Sequence, residues 1–155
     1  MLPADYTFTA TDAGTHTFAG GVTLKTAGSQ SVTATFTADG TVTGSQSGIA
    51  VSAAAADHLS LSGPSSVAAG TAFDLTVTVL DAYGNVVTGY TGTVTFSSSD
   101  SAPVLPPDYT FTAADAGAHV FSSGVILSDM NDMATVTAAD TLDPTILGTL
   151  PLSVQ

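Results

Sequence analysis

Two aspartate–histidine pairs are the residues of this chain whose types and spacing come nearest to catalytic chemistry. Asp12 and His16 are four positions apart in "DAGTH", and Asp115 and His119 are four positions apart in "DAGAH". An aspartate beside a histidine, with serine available, is the arrangement that activates a nucleophilic hydroxyl in serine hydrolases. The simpler interpretation, which we favour, is an Asp-Ala-Gly turn that leads into a strand carrying a half-exposed imidazole.

The serines do not complete a catalytic site. In "GSQSG" (44–48) they stand at the second and fourth positions, whereas a nucleophile elbow needs serine at the centre. The segment "GPSSVAAG" (63–70) is expected to be a loop, and no dinucleotide, zinc-protease or P-loop motif occurs. Cysteine is absent, which removes thiol chemistry and disulfides. We therefore expect no enzymatic activity and neither catalytic nor cofactor-binding residues.

Aspartates in expected loops raise the question of calcium, which prefers hard carboxylate oxygens. The candidates are Asp129, Asn131 and Asp132 in "SDMNDM", Asp140 and Asp143 in "DTLDP", and Asp57 at the junction between two repeats. Their spacing does not match the alternating ligands of an EF-hand or of calcium-binding nonapeptides. Aspartate at turn positions explains them without a metal. We therefore predict no bound metal and keep calcium as an alternative.

The charge balance limits the partners. Thirteen aspartates face a single basic residue, Lys25, and the formal net charge is -12. Nucleic acids and anionic membrane surfaces both require clustered lysine and arginine, so neither partner is expected. No apolar run approaches the ~18 residues that a membrane span needs, so membrane insertion is not expected either. One lysine in 155 residues favours an extracellular rather than a cytoplasmic protein.

An internal repeat determines how these residues are positioned. Residues 2–24 align with residues 105–127 without a gap, and 16 of the 23 positions are identical. After one extra residue, "SVTAT" (31–35) matches "TVTAA" (135–139), whereas the stretch 57–104 occurs once. One period is thus about 100 residues, and the chain holds one and a half periods.

Alternation of apolar and polar residues predicts strands throughout the complete period. In "AFDLTVTVLDAYGN" the apolar residues from Phe73 to Val79 share one face, and "DAYGN" then supplies a turn. Similar patterns give seven short strands separated by Gly, Pro, Asp and Ser turns. An all-β protein is therefore predicted, with the strand content of a Greek-key β-sandwich.

The most specific stretches are "AGTAFDLTVTVLDAYGNVVTGY" and "DYTFTAADAGAHVF", with "GVTLKTAGSQSVTAT" in the first copy. Through them the whole chain resembles the bacterial immunoglobulin-like repeats, similar to the invasin and intimin type, that stack in tandem in large adhesin-like surface proteins. The chain departs from that pattern at "GVILSDMNDMATVTAAD" and "TLDPTILGTLPLSV". The resemblance implies an immunoglobulin-like fold, a bacterial cell-surface or extracellular location, neighbouring repeats as partners, and adhesion as the role of the parent protein.

In a repeat of this kind, strands A to C come from residues 57–100 and strands D to G from 105–154. Residues 52–58 are too short to carry the chain back along a sandwich, so the domains are expected at 1–53, a partial repeat with strands D to G only, and at 54–155, a complete repeat. The partial repeat forgoes more than ~10 kcal/mol of burial. A sequence cut in mid-repeat, or strand exchange through 1–53 that links chains into a homo-oligomer, would each explain it.

The expected function is that of a non-catalytic spacer module of a large extracellular, adhesin-like repeat protein. The alternatives are a carbohydrate- or protein-binding module that works through its loops, or a self-assembling subunit linked by strand exchange. Tyr83 and Tyr90, which flank the "GNVV" turn, and the repeated Tyr6 and Tyr109 are the aromatic residues considered for sugar stacking. A repeated tyrosine in an alternating strand is more typical of a core.

Overall fold

The computed structural model describes residues 1–130 and 132–155. Strands hold 46% of the residues and helices 4%, which confirms the all-β prediction. The chain divides into two compact units, Met1–Ser52 and Ala53–Gln155, and each is described by itself. Within the described ranges, no helix has the length and apolar character needed to cross a membrane.

The regular elements are short. The described residues include two single-turn 3₁₀ helices, Ala10–Asp12 and Ala113–Asp115. The strands, in chain order, are β1 (Gly28–Thr35), β2 (Thr43–Val51), β3 (Ala56–Ser62), β4 (Ser66–Val67), β5 (Phe73–Asp81), β6 (Thr93–Ser98), β7 (Tyr109–Thr110), β8 (Ala118–Val125), β9 (Asp132–Asp140) and β10 (Leu147–Val154).

Two sheets enclose one core in Ala53–Gln155. One sheet has the strand order β4-β10-β9-β6-β7 and the other β3-β5-β8. The strand β5 shows why they pack: Phe73, Leu75, Val77 and Val79 are buried on alternate positions, so one face of the sheet is continuously apolar. The opposite sheet contributes buried residues from β6, β9 and β10 to the same cluster. The result is a two-layer arrangement consistent with a β-sandwich.

The segment 63–70, expected to be a loop, contains a strand. Ser66 and Val67 form β4, which pairs in parallel with Ser153 and Val154 at the end of β10. This pairing covers the edge of β10 and satisfies backbone groups that would otherwise be open. A strand of two residues has no apolar–polar period, so the prediction of seven strands missed it.

The chain passes through the second unit from one pole to the other. Gly148 in β10 lies against Leu59 in β3, and Leu150, further along β10, lies against Gly63 just after β3. The strands β3 and β10, one in each sheet, therefore run in the same direction. The polypeptide enters at the start of β3 and leaves at the end of β10, at the opposite pole. Strands of this length span roughly 26 Å.

The first unit, Met1–Ser52, contains one antiparallel hairpin. Its strands β1 and β2 pair along their length, with a bulge between Gln30 and Val32. None of its residues, all of which the structure describes, is buried. Residues 15–25, which correspond in sequence to β8 and the segment after it, form no strand. This unit therefore has local structure without an enclosed core.

Candidate functional site

The Asp115–His119 pair belongs to a compact cluster at the turn that follows β7. Thr112 is extended and begins the single-turn helix Ala113–Asp115, which ends at Ala116 with a positive φ of 46°. The Asp115 carboxylate caps this turn. One of its oxygens, Oδ2, accepts hydrogen bonds from the Thr112 backbone N–H at 2.7 Å and from the Thr112 hydroxyl at 2.8 Å.

The second carboxylate oxygen of Asp115 binds two side chains. Oδ1 accepts the Tyr109 hydroxyl at 3.0 Å and faces Nδ1 of His119 at 2.8 Å. The imidazole stacks on the Tyr109 ring, with ring centroids 3.9 Å apart. The Thr112 backbone N–H, the Thr112 hydroxyl and the imidazole lower the pKa of Asp115. Burial and the Asp115 carboxylate raise the pKa of Tyr109.

The first unit forms the same cluster. Asp12 accepts the Thr9 backbone N–H at 2.6 Å, the Thr9 hydroxyl at 2.8 Å and the Tyr6 hydroxyl at 3.0 Å. Nδ1 of His16 lies 3.3 Å from the carboxylate, and Ala13 has a positive φ of 49°. The Thr9 hydrogen bonds lower the pKa of Asp12 to about 2. Because the two units differ in burial, this geometry must be encoded locally.

In each cluster the aspartate side chain holds the turn together through its hydrogen bonds, and we call this arrangement a turn clip. Both carboxylate oxygens of Asp12 and of Asp115 already accept donors, and Nδ1 of each imidazole faces its aspartate. Within residues 1–130 and 132–155, no serine hydroxyl forms a hydrogen bond with His16 or His119. The chemistry that the arrangement supports is the fixation of a tight turn and of the tyrosine ring packed against it.

The described calcium candidates lie on three different segments: Asp57 in β3, Asp129 after β8, and Asp140 and Asp143 together at the turn between β9 and β10. Asp140 accepts the backbone N–H groups of Leu142 at 2.7 Å and Asp143 at 2.9 Å, and it also accepts the Tyr90 hydroxyl. Asp143 accepts the Thr145 backbone N–H at 3.1 Å. These are the contacts of aspartates that stabilise turns.

The remaining described candidates lie outside that turn. Asp57 lies exposed in β3 with Oδ2 3.0 Å from Nδ1 of His58, and Asp129 accepts the Ser101 backbone N–H at 2.6 Å and its hydroxyl at 2.7 Å. Asn131 and the side chain of Asp132 lie outside the described residues. Among the side chains that are described, no group of three or more His, Cys, Asp or Glu could hold a metal ion.

Sequence reasoning missed Asp81, which is fully buried at the end of β5. Its carboxylate accepts hydrogen bonds from the backbone N–H of Ala54 at 2.8 Å, of Tyr83 at 2.9 Å and of Asn85 at 2.8 Å, and from the Asn85 side chain at 2.8 Å. Burial raises the pKa of Asp81, but the hydrogen bonds from these donors outweigh burial and lower the pKa to about 2. The spacing of Asp, Gly and Asn in "DAYGN" is the available signal, and it predicts a turn without showing that the aspartate is buried.

Asp100, also buried, joins two connections of the same unit. Its carboxylate accepts the backbone N–H of Ser128 at 2.8 Å, of Asp129 at 2.9 Å and of Ala102 at 3.0 Å. Burial raises the pKa of Asp100, and these backbone hydrogen bonds outweigh it, so the pKa is lowered. The segment after β6 is thereby tied to the segment after β8.

Comparison with known proteins adds no relative to this description. No protein-family model matches the chain, and no curated protein matches it. The fold and the turn clips therefore describe the molecule only as an all-β protein whose turns are stabilised by aspartates. Its function has to be argued from geometry and from the repeated sequence.

Proposed function

We propose that the chain is a non-catalytic, immunoglobulin-like spacer module of a large extracellular, adhesin-like bacterial repeat protein. The observation that carries this proposal is the path of the polypeptide through Ala53–Gln155, which enters at one pole and leaves at the other. A module with that path adds its own length to an array when copies are joined in tandem. The repeat of about 100 residues in the sequence is the pattern of such an array.

The hydrogen-bonded aspartates favour the same role. Asp81 binds the backbone N–H of Ala54, so the first residues of the module are held against the turn that follows β5. Asp100, Asp115 and Asp140 fix other turns of the module in the same way. A spacer that holds its neighbours at a fixed distance needs rigid ends rather than a reactive centre. The net charge of -12 keeps neighbouring modules apart by repulsion.

The experiment that tests the spacer role is small-angle X-ray scattering on concatenated copies of residues 53–155. The maximum dimension should rise linearly by roughly 30–35 Å per module, because each module contributes a strand length and a short junction. A matched array with ten glycine–serine residues between modules should be more compact per module. A dimension that levels off as modules are added to the native array would contradict the proposal.

One observation favours carbohydrate binding as a second candidate function. Tyr83 presents an exposed ring at the turn between β5 and β6, whereas Tyr90 and Tyr109 pack against the core. An exposed tyrosine can stack on the face of a sugar ring. A glycan array probed with the native chain and with Tyr83→Ala distinguishes the two functions, because only a sugar-binding module gives a signal that the substitution removes.

A further inference from the structure

The five-stranded sheet of Ala53–Gln155 has an outward surface that its register defines. In β9, Val136 and Ala138 are buried in the core, so Thr135 and Thr137 point away from it. Residues opposite each other on paired strands share a face, which extends the outward set to β10, β6, β7 and β4. We call this set the threonine face. It consists of the odd-numbered positions of 93–97, 133–139 and 147–153, together with Ser66 and Thr110.

The threonine face carries no charged side chain. Its thirteen positions hold six threonines, three serines and one each of alanine, leucine, methionine and proline. Residues 53–155 nevertheless contain ten of the thirteen aspartates of the chain and no lysine or arginine. Asp57 and Asp74 belong to the other sheet, and Asp108, Asp129 and Asp143 belong to connections between strands. The surface of a strongly acidic unit thus includes a broad neutral area.

Hydroxyl groups form a row across the middle of the threonine face. Ser97, Thr137 and Thr149 lie opposite one another on β6, β9 and β10, so neighbouring side chains in the row are about 4.8 Å apart. On the same face the Oγ1 atoms of Thr93 and Thr110 are hydrogen-bonded at 2.8 Å. A hydroxyl both donates and accepts hydrogen bonds, so a surface of this kind is complementary to an identical surface.

Two exposed apolar side chains lie at opposite ends of the threonine face. Met133, at one end of β9, is 65% exposed, and Leu147, at the far end of the neighbouring β10, is 42% exposed. A two-fold axis in the plane of the face, crossing β9 between Thr135 and Thr137, sets Met133 of one copy against Leu147 of its partner. The face is therefore compatible with an isologous contact, in which each copy contributes the same surface.

The charge pattern identifies the occupant that suits this face. A basic partner would be attracted to the aspartates, which lie outside the face. A sugar-binding surface uses aromatic rings as a platform, and the face holds no aromatic residue. Two copies of this acidic chain repel each other in other orientations. When they meet at their threonine faces, two neutral surfaces are in contact and the aspartates stay outside the interface.

The size of the face limits the strength of such a contact. Three strands of eight or nine residues, with two short strands beside them, cover about 500 Å² per copy, or about 1,000 Å² in total. Stable specific interfaces bury at least about 1,200 Å² in total, so the contact belongs to the weak class. Sheets packed face to face in this way lie about 10 Å apart.

We propose that the threonine face is a self-association surface, through which two copies of the chain pack face to face about a two-fold axis near Thr135 and Thr137. Hydroxyl and methyl groups of the two faces are in contact, and the acidic remainder of each copy points away from its partner. The inference concerns a side of the unit rather than its ends. It goes beyond the proposed spacer role and does not rest on it.

The test is sedimentation equilibrium of the full 155-residue chain at about 0.01–1 mM, the range in which a contact of this size is populated. The chain should form dimers reversibly. Raising the salt concentration from about 0.05 to 0.5 M should strengthen dimerisation several-fold, because salt screens the repulsion between the two acidic copies. A contact made by ion pairs would weaken under the same change.

Charge substitutions at Thr137 test the surface itself. Thr137→Asp and Thr137→Lys each place like charges in the interface, so each variant alone should dimerise at least about tenfold more weakly. A mixture of the two variants should regain dimerisation, because opposite charges then meet. The matched control is Thr78→Asp, which changes an outward threonine on β5, the middle strand of the other sheet, and should retain native dimerisation. Thermal unfolding followed by circular dichroism establishes that all three variants are folded.

Four results would overturn the proposal. The chain could remain monomeric over the whole range of concentration and salt. It could associate equally well with Thr137→Asp, which would assign the contact to another surface, including that of Met1–Ser52. Thr78→Asp could weaken association as much as Thr137→Asp does, or the mixture of Thr137→Asp and Thr137→Lys could fail to associate better than either variant alone.

Discussion

Asp81, Asp100 and Asp140 are buried in a unit that contains no lysine or arginine. A buried carboxylate is normally balanced by a basic side chain. Here backbone N–H groups in tight turns take that place, with help from the Asn85 amide and the Tyr90 hydroxyl. Hydrogen bonds to the charged form of an acid lower its pKa even where burial acts in the other direction. The acidic composition is thus compatible with a stable interior.

The lowered pKa of Asp81 predicts a defined dependence of stability on pH. A carboxylate whose pKa is about 2 in the folded state and near 3.9 in the unfolded chain stabilises the fold fully above pH ~4 and ceases to do so as the pH falls towards 2. The melting temperature of residues 53–155 should therefore decrease from pH 4 to pH 2. Thermal unfolding followed by circular dichroism at intervals of half a pH unit measures this decrease.

Asp81→Asn should lower the melting temperature at pH 7 and flatten its decrease below pH 4, since the amide has no charge to lose. The control is Asp108→Asn, which removes the same charge at an exposed position. If both variants keep the native pH profile, the hydrogen-bonded carboxylate of Asp81 does not govern acid stability.

Close packing between the layers predicts the effect of a single methyl group. A Cβ on Gly148 would overlap the carbonyl oxygen of Leu59 on the facing strand, so Gly148→Ala should destabilise residues 53–155 by about 1–3 kcal/mol. Gly89→Ala is the control, because a Cβ there meets nothing within 4 Å. Urea unfolding followed by tyrosine fluorescence compares them. Equal stability of both variants would contradict the contact between β3 and β10.

At the scale of elements, the turn clip is an autonomous unit of structure. Thr9 and Thr112 begin their single-turn helices with nearly the same backbone angles, and Ala13 and Ala116 end them in the left-handed region. The aspartate three residues after each threonine closes a reciprocal set of hydrogen bonds, the arrangement of a capping box. The two clips differ in what surrounds them, and their internal geometry is the same.

The duplicated clip allows a prediction in which one copy controls for the other. Asp115→Ala should lower the melting temperature of the cooperative transition by several degrees, because the clip positions Tyr109 against the core. Asp12→Ala should leave that transition unchanged, since it lies in a separate compact unit. Differential scanning calorimetry on the full chain measures the melting temperature of each variant. A comparable effect of the two substitutions would show that the units unfold together.

At the scale of the whole molecule, the two units differ in what stabilises them. Ala53–Gln155 encloses a continuous apolar cluster between two sheets, whereas Met1–Ser52 buries no residue. Burial of apolar surface is the dominant favourable term in folding, so the second unit should contribute nearly all the stability of the chain. The first unit keeps its local hydrogen bonds and lacks the layer that would enclose it.

We predict that residues 53–155 alone unfold cooperatively, with the same urea midpoint as in the full chain. Residues 1–52 alone should show no cooperative transition, because a hairpin without a covered face is marginally stable in water. Near-ultraviolet circular dichroism reports the loss of fixed aromatic environments in both. A cooperative transition in residues 1–52 would indicate a core in the first unit.

Pattern recognition on the sequence was sufficient for some elements and insufficient for others. The strict alternation from Phe73 to Val79 identified β5 and its buried face, and the repeated "DAGTH" and "DAGAH" correctly indicated turns. The short strand β4 was missed, because two residues carry no period. Asp81 was missed because an aspartate in a turn motif gives no sign of whether the turn is exposed or buried.

Sequence alone was enough to establish the all-β class, the period and the local turns, because alternation and turn chemistry depend on neighbours within a few residues. The tertiary structure decided which layer covers which, where the chain enters and leaves the second unit, and which aspartates are enclosed. These properties depend on contacts between segments tens of residues apart. Identical local sequences, such as those around Phe8 and Phe111, can therefore end exposed in one unit and buried in the other.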